Sequence, residues 1–172
     1  MSLFVPDGFA DALAEVSAAW LEARGVRGIL LDLDDTLVPA DGQGLDPAAA
    51  AWVRAFQEKG AVAIVSNNSR LERVAGIAQL LDVPYVHLAL KPLPAGLRRG
   101  VRLLGLSPRE VAVLGDQIFT DVLGGRWLGL HTVLVSPLSG PPRHPVRRAV
   151  RYLERRLLAA APSPPSRAGG PS

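Results

Sequence analysis

Residues Gly28–Val38 read GILLDLDDTLV. The apolar run Val26–Leu33 is too short for a helix and is apolar at successive rather than alternate positions. That pattern belongs to a strand covered on both faces. It stops on Asp32, Leu33, Asp34, Asp35 and Thr36, so the polar groups gather at its carboxyl end. Working outward, similar short runs occur at Ala61–Val65, Tyr85–Leu88, Val111–Leu114 and His131–Val135. Helical patterns separate them. Asp46 followed by Pro47 is a helix start that runs to about Lys59, with Gly60 ending it. Ser69 starts a helix to about Leu81. Pro94–Leu104 and Phe119–Leu128 follow, with Ser107-Pro108-Arg109-Glu110 read as a turn. Before the first strand, Phe9, Leu13, Val16 and Trp20 recur at a helical period over Phe9–Arg24. Arg143–Ala160 forms a last helix, and 161–172, APSPPSRAGGPS, reads as a disordered tail. Five alternations of strand and helix predict an α/β fold, a five-stranded parallel sheet with helices on both faces. In such sheets the site lies beyond the carboxyl ends of the strands.

The strand ends carry chemistry. The first delivers Asp32, Asp34, Asp35 and Thr36; the second Ser66, Asn67 and Asn68; the loop after the third Lys91-Pro92; the fourth Gly115-Asp116, with Asp121 further on. That many carboxylates on one edge need a cation. With no cysteine in the chain and no suitably placed histidine, the donors are hard oxygens, which suits Mg²⁺. Carboxylates, a divalent metal, a lysine and a hydroxyl make a phosphoryl-transfer inventory. One carboxylate can attack phosphorus and form an aspartyl-phosphate, and another two residues on can protonate the leaving alkoxide.

Those residues resemble the haloacid-dehalogenase (HAD) superfamily of phosphatases. GILLDLDDTLV is similar to its first motif, and Ser66, Lys91 and the pair Asp116 and Asp121 to its second, third and fourth, in the same order. More narrowly, AVAIVSNNSR, LALKPLP and LGDQIFTDVLGG resemble the YqeG branch of subfamily IIIA, which is similar to mitochondrial phosphatidylglycerophosphate phosphatases. The resemblance covers roughly Val26 to Val135 and implies strand order 5-4-1-2-3. It implies Asp32 as nucleophile and Mg²⁺ ligand. Asp34 is implied as general acid and base, ligating the metal through its backbone carbonyl. Thr36 would hold the loop, and Ser66, Asn67 (through its N–H) and Lys91 would bind phosphate. Asp116 would be a metal ligand, and Asp121 a group that supports the metal or orients Lys91. Asn68, Arg70, Gln117 and Thr120 flank these positions and are read as local hydrogen-bonding groups.

Only residues 38–65 separate the first two motifs and 69–90 the second from the third. Each stretch must already supply a helix and a strand, so no cap domain is expected and the site should be open. An open site suits a bulky or surface-bound substrate.

At 48% hydrophobic and 20% charged residues over 172 positions, the chain has a globular composition and a soft prior of one domain, placed at 1–160. The start, MSLFVPDGFADALAEV, lacks a basic region followed by an apolar stretch, so no secretory signal is expected. The expected location is the cytoplasm, or a peripheral position on the inner face of a membrane. Charge is uneven. Residues 1–142 hold 12 Lys and Arg against 15 Asp and Glu, whereas 143–156 hold six Arg and one Glu. In the helix 143–160, Val146, Val150, Leu153 and Leu157 share one face, with Arg147, Arg148, Arg151 and Arg155 opposite and Arg156 near the apolar flank. Either this helix docks its apolar face on the sheet and leaves a solvated basic face, or it meets an anionic membrane. Phe4, Val5 and Phe9 could add an apolar anchor. Trp20, Trp52 and Trp127 read as core aromatics. The expected function is Mg²⁺-dependent hydrolysis of a phosphate monoester, with phosphatidylglycerophosphate or a similar phospholipid the favoured substrate. Small metabolites, phosphoproteins and nucleic-acid ends are alternative substrates. An RNA- or ribosome-binding module built on the basic helix is the alternative of another class. DNA is not an expected partner.

Overall fold

The computed structural model describes residues 3–40, 42, 44–140, 145–159 and 166–169. Its frame is a parallel sheet built on β2 (Gly28–Leu31), flanked by β3 (Ala61–Val65) and β5 (Val111–Gly115). Gly28 pairs with Ala61 on one side and Val111 on the other, and Leu31 with Ile64 and Leu114. β4 (Tyr85–Val86) extends the sheet beyond β3, and β6 (His131–Val135) beyond β5. These are the five strands read from the sequence, in the order expected of them.

The sheet is nonetheless seven-stranded, in the order β4-β3-β2-β5-β6-β1-β7. The two extra strands correct the expectation of five. β1 (Gly8–Ala10) lies where a helix from Phe9 is predicted, and it pairs in parallel with Val133–Val135 of β6. The helical spacing of Phe9, Leu13, Val16 and Trp20 arises from three short pieces laid end to end. These are β1, a 3₁₀ turn at Leu13–Glu15 and α1 (Ala18–Glu22), begun by the Ser17 side chain. Strand pairing overrides the local period here because the free edge of β6 takes up the backbone groups of β1. At Gly8 a Cβ would lie 2.7 Å from the Trp20 ring, which is why glycine stands there. β7 (Ser166–Arg167) pairs with β1, and Ala168 beyond it is fully buried. The predicted disorder of 161–172 is therefore corrected at 166–169; 160–165 and 170–172 lie outside the described residues.

Alternate residues of the central strands feed two cores. Ile29, Leu31, Val62, Ile64, Ala112 and Leu114 face α2 (Pro47–Gln57) and α3 (Leu71–Leu81). Leu30, Ala63, Val65 and Val113 face α4 (Pro94–Leu104). Each fully buried leucine or isoleucine contributes about 2 kcal/mol. Asp46 caps α2 through Ala49 N at 2.8 Å, as its position before Pro47 predicts. The N-cap of α3 is Arg70, which makes no side-chain cap, so Ser69 does not play that part. The predicted helix Phe119–Leu128 splits into a π-turn, Ile118–Val122, and α5 (Leu123–Leu128). Such wide turns commonly occur at functional sites. Among the described residues, the connections 32–46, 66–70 and 87–93 carry no inserted unit, so no cap stands over the strand ends.

α6 (Pro145–Ala159) closes the fold beside β6 and the loop after β5. The start of the predicted helix at Arg143 falls in 141–144, outside the described residues, and so do the side chains of Val146 and Arg147. Phe4 and Phe9 are not a free anchor: the Phe4 ring packs edge-on against Phe119, and Phe9 packs with Ile118, Val122, Leu134 and Leu158. Trp127 is 51% exposed and is not a core aromatic.

Candidate active site

The carboxyl ends of β2, β3 and β5 and the loop after β4 meet above the sheet. Asp32, Ser66, Lys91, Asp116 and Asp121 are all buried there. Lys91 Nζ donates to Asp32 Oδ1 and to Asp121 Oδ1, each at 2.6 Å. Burial works against the Lys91 ammonium, but the two carboxylates outweigh it and hold its pKa above the ordinary lysine range. Asp32 feels the opposite balance. Burial pushes it up to about 7, against the pull of Lys91 and with the push of Asp121.

Oxygens of Asp32, Asp116 and Asp121 lie within 4.8 Å of one another. Asp116 is pushed up to about 8 by burial first and then by the charge of Asp32, against the pull of Arg151. Its Oδ1 is buried and finds no hydrogen-bond partner. An orphaned carboxylate oxygen facing a need for positive charge, in an all-oxygen donor set, fits a hard divalent cation. Gly115 makes the cluster possible. A Cβ at that position would fall 2.3 Å from the Asp121 carboxyl, so only glycine allows the π-turn to lay Asp121 against β5.

Asp121 is held by more than Lys91, since Gln117 N and Thr120 Oγ1 both donate to its Oδ2 at 3.3 Å. Asn67 clamps the Lys91 peptide unit. Its Nδ2 donates to Lys91 O at 3.0 Å and its Oδ1 accepts from Lys91 N at 2.6 Å. The Asn67 side chain thus positions the lysine, a role the sequence reading did not include. Ser66 Oγ accepts from Asn68 N at 3.0 Å. Thr36 is buried beneath the loop, and its Oγ1 finds no hydrogen-bond partner.

Asp34 lies apart from the three-carboxylate cluster and is more exposed. Its Oδ1 accepts from Arg73 Nε at 3.2 Å and Nη2 at 3.0 Å, and its Oδ2 from Asn68 Nδ2 at 2.8 Å. Arg73 also donates to the Gly42 carbonyl at 2.9 Å, tying Asp34 to the loop after β2. Asp35 adopts φ 66° and accepts from the backbone N–H groups of Ala40 and Ser139, each at 3.1 Å. It is a loop-knitting residue. An open depression of about 400 Å³ is lined by Asp32, Asp34, Ser66, Asn67, Lys91 and Thr120 among others.

Two contacts come from α6, the helix expected either to dock its apolar face and solvate its basic one or to meet an anionic membrane. Its orientation is different. Glu154 is 3% exposed and its Oε1 accepts from Ile118 N at 2.8 Å and Phe119 N at 3.2 Å. Arg151 donates to the Asp116 carbonyl and to Asp116 Oδ2. Leu153, Leu157 and Tyr152 are exposed, alongside Arg148, Arg155 and Arg156. Arg151 therefore leaves the solvated basic set. Arg73, Arg151 and Glu154 are the site residues that sequence reasoning missed. Glu154 carried one signal, being the single acid in an arginine-rich helix.

Comparison with known proteins identifies the family and the fold. The family model described as haloacid dehalogenase-like hydrolase matches residues 9–129. The chain is 38% identical over 158 residues to a protein named probable phosphatase YqeG from Bacillus subtilis, covering 91% of each. It is 29% identical over 154 residues to the chloroplastic phosphatidylglycerophosphate phosphatase 1 of Chlamydomonas reinhardtii, covering 82% of this chain and spanning 56% of that protein. Among solved structures, the HAD-hydrolase YfnB from Bacillus subtilis, bound to magnesium, superposes with a TM-score of 0.58 at 14% identity, covering 77% of this chain and 98% of that one. At that identity the likeness speaks for the fold alone.

Proposed function

The chain belongs to the haloacid dehalogenase-like hydrolases and is a phosphatase, and from that premise we propose that it cleaves phosphate monoesters through an aspartyl-phosphate on Asp32. The observation that carries this reading is the convergence of Asp32, Lys91, Asp116 and Asp121 on one buried point beside an open depression.

In the first half-reaction an Asp32 carboxylate oxygen attacks phosphorus, and the ester P–O bond breaks. Asp34, at the more open edge of the site, gives its proton to the departing alkoxide. In the second, Asp34 takes a proton from water as that water attacks the phosphorus of the aspartyl-phosphate, releasing phosphate and restoring Asp32. Lys91 Nζ and Ser66 Oγ hold the phosphoryl oxygens through both steps. Asp121 and Asn67 keep Lys91 aimed at Asp32. Asp32, Asp116 and Asp121, with the Asp34 carbonyl, are the groups that would hold Mg²⁺, whose charge would neutralise the phosphoryl oxygens.

The substrate we favour is a phospholipid phosphate monoester of the phosphatidylglycerophosphate kind. Three features support it: the phosphatidylglycerophosphate phosphatases among the relatives, strand ends over which no described residue forms a cap, and the exposed Leu153, Leu157 and Tyr152 beside Arg148, Arg155 and Arg156 on α6. That face suits the surface of an anionic bilayer. No described helix is long and apolar enough to cross one. Turnover of phosphatidylglycerophosphate in mixed micelles, measured beside a panel of water-soluble phosphate monoesters, tests the assignment. A clear preference in kcat/KM for the lipid supports it; a preference for a soluble ester overturns the lipid assignment and leaves the phosphatase chemistry standing.

A further inference from the structure

Arg151 and Glu154 lie one helical turn apart on α6, and both reach the loop that joins Asp116 to Asp121. Arg151 grips Asp116 by its carbonyl and by Oδ2, leaving Oδ1 without a partner. Glu154 takes the N–H groups of Ile118 and Phe119, the first residues of the π-turn that carries Asp121. The two side chains also touch each other, Arg151 Nη1 to Glu154 Oε2 at 3.4 Å. A chain of contacts thus runs from Asp116 through Arg151 and Glu154 to the start of the turn, and it spans the connection between two of the three clustered carboxylates.

This arrangement is costly unless it has a use. Glu154 is buried in a helix whose other charged residues are arginines, and burial pushes its carboxyl pKa up against the pull of the amides it accepts from. Apolar Leu153 and Leu157, meanwhile, are left exposed. A helix held only by apolar packing would turn those leucines inward, placing Arg151 and Glu154 in water.

We propose that Arg151 and Glu154 are positioning residues that clasp the 116–121 loop from α6 and hold Asp116 and Asp121 in register for a divalent cation. The proposal rests on the reading of Asp32, Asp116 and Asp121 as the metal site. Arg151 fixes the rotation of the Asp116 carboxylate, so that Oδ2 is occupied and Oδ1 is free to ligate. Glu154 fixes the first amides of the π-turn and with them the position of Asp121. Partners of this kind, one bond removed from the ligands, typically change metal affinity by about 10–100-fold when removed.

The test is Mg²⁺ binding to the full chain, followed as the shift of the melting temperature with Mg²⁺ concentration and so independent of turnover. Arg151→Lys keeps the positive charge but cannot grip two atoms in a fork. Glu154→Ala removes the acceptor, and Glu154→Gln keeps an oxygen able to accept from an amide. Arg151→Lys and Glu154→Ala are expected to raise the Mg²⁺ concentration for half-saturation by about tenfold or more, and Glu154→Gln to raise it less. Turnover of a soluble chromogenic phosphate by Arg151→Lys is expected to recover at high Mg²⁺. If Glu154→Ala does not fold, Arg151→Lys decides alone. Half-saturation in Arg151→Lys equal to or below that of the parent overturns the clasp while leaving the metal site intact. A parent whose melting is indifferent to Mg²⁺ overturns the metal site and the clasp together.

Discussion

The Lys91 ammonium lies 2.6 Å from the Asp32 carboxylate, with 1% of the lysine side chain exposed, and the same nitrogen is equally close to Asp121. One buried cation therefore serves two carboxylates. Removing one member of a buried pair costs about 3–5 kcal/mol, because the remaining charge loses its compensation. Lys91→Met is expected to lower unfolding stability by about 3 kcal/mol in EDTA. In Mg²⁺ the loss should be smaller, since a bound cation takes over part of the compensation. Urea titrations in the two buffers check this; an equal loss in both would mean that Lys91 and the metal do not share the same carboxylates.

Stability should respond to pH in an uncommon direction. Asp32 and Asp116 are pushed up to about 7 and about 8, above the roughly 4 of an unfolded aspartate. Between pH of about 4 and 8 the native state therefore binds more protons than the unfolded one, and stability falls as pH rises through that window. Metal-free protein is expected to melt at a lower temperature at pH 8 than at pH 5.5. Mg²⁺, which needs the ionised carboxylates, should raise the melting temperature more at pH 8. Melting curves at the two pH values, with and without EDTA, read both effects; a Mg²⁺ increment that is larger at pH 5.5 would contradict the assignment of these carboxylates as ligands.

The exposed arginines of α6 separate surface binding from chemistry. Arg148, Arg155 and Arg156 face solvent, whereas Arg151 is engaged with Asp116. Each exposed arginine near an anionic bilayer contributes about 1 kcal/mol. Changing the three to Gln is expected to weaken binding to anionic vesicles by about a hundredfold at low salt, if the contributions add. Higher salt should shrink the difference. Turnover of a soluble phosphate should stay at the parent level. Unchanged vesicle binding, measured by co-sedimentation, would rule out α6 as the bilayer-facing element.

The central strands and the acidic edge were legible in the sequence because both are local signals. A double-faced buried strand is a short apolar run; Asp32, Ser66 and Asp116 stand directly at or after such runs, and Lys91 in the loop that follows one. β1 was not legible. Its three residues carry no period of their own, and what makes them a strand is the edge of β6, more than a hundred positions away in the chain. The buried side of α6 was hidden for a related reason. Helical periodicity assumes that apolar residues face the protein, and here Glu154 and Arg151 face it instead, drawn by amides and a carboxylate that only the folded loop presents. Arg73 is hidden in the same way, since its partner Asp34 lies on another element. Asn67 was legible as a site residue, but its side-chain clamp on Lys91 depends on the path of the loop after β4.

The central claim is that Asp32 carries the phosphoryl group. Acid-quenching the protein during turnover of a chromogenic phosphate in Mg²⁺, followed by mass spectrometry of its peptides, addresses it directly. A phosphoryl increment is expected on the peptide that contains Asp32. That increment should vanish in Asp32→Asn, together with turnover, while the melting curve still shows a folded protein. A phosphoryl group on any other residue, or an Asp32→Asn variant that retains activity within about tenfold of the parent, would contradict it.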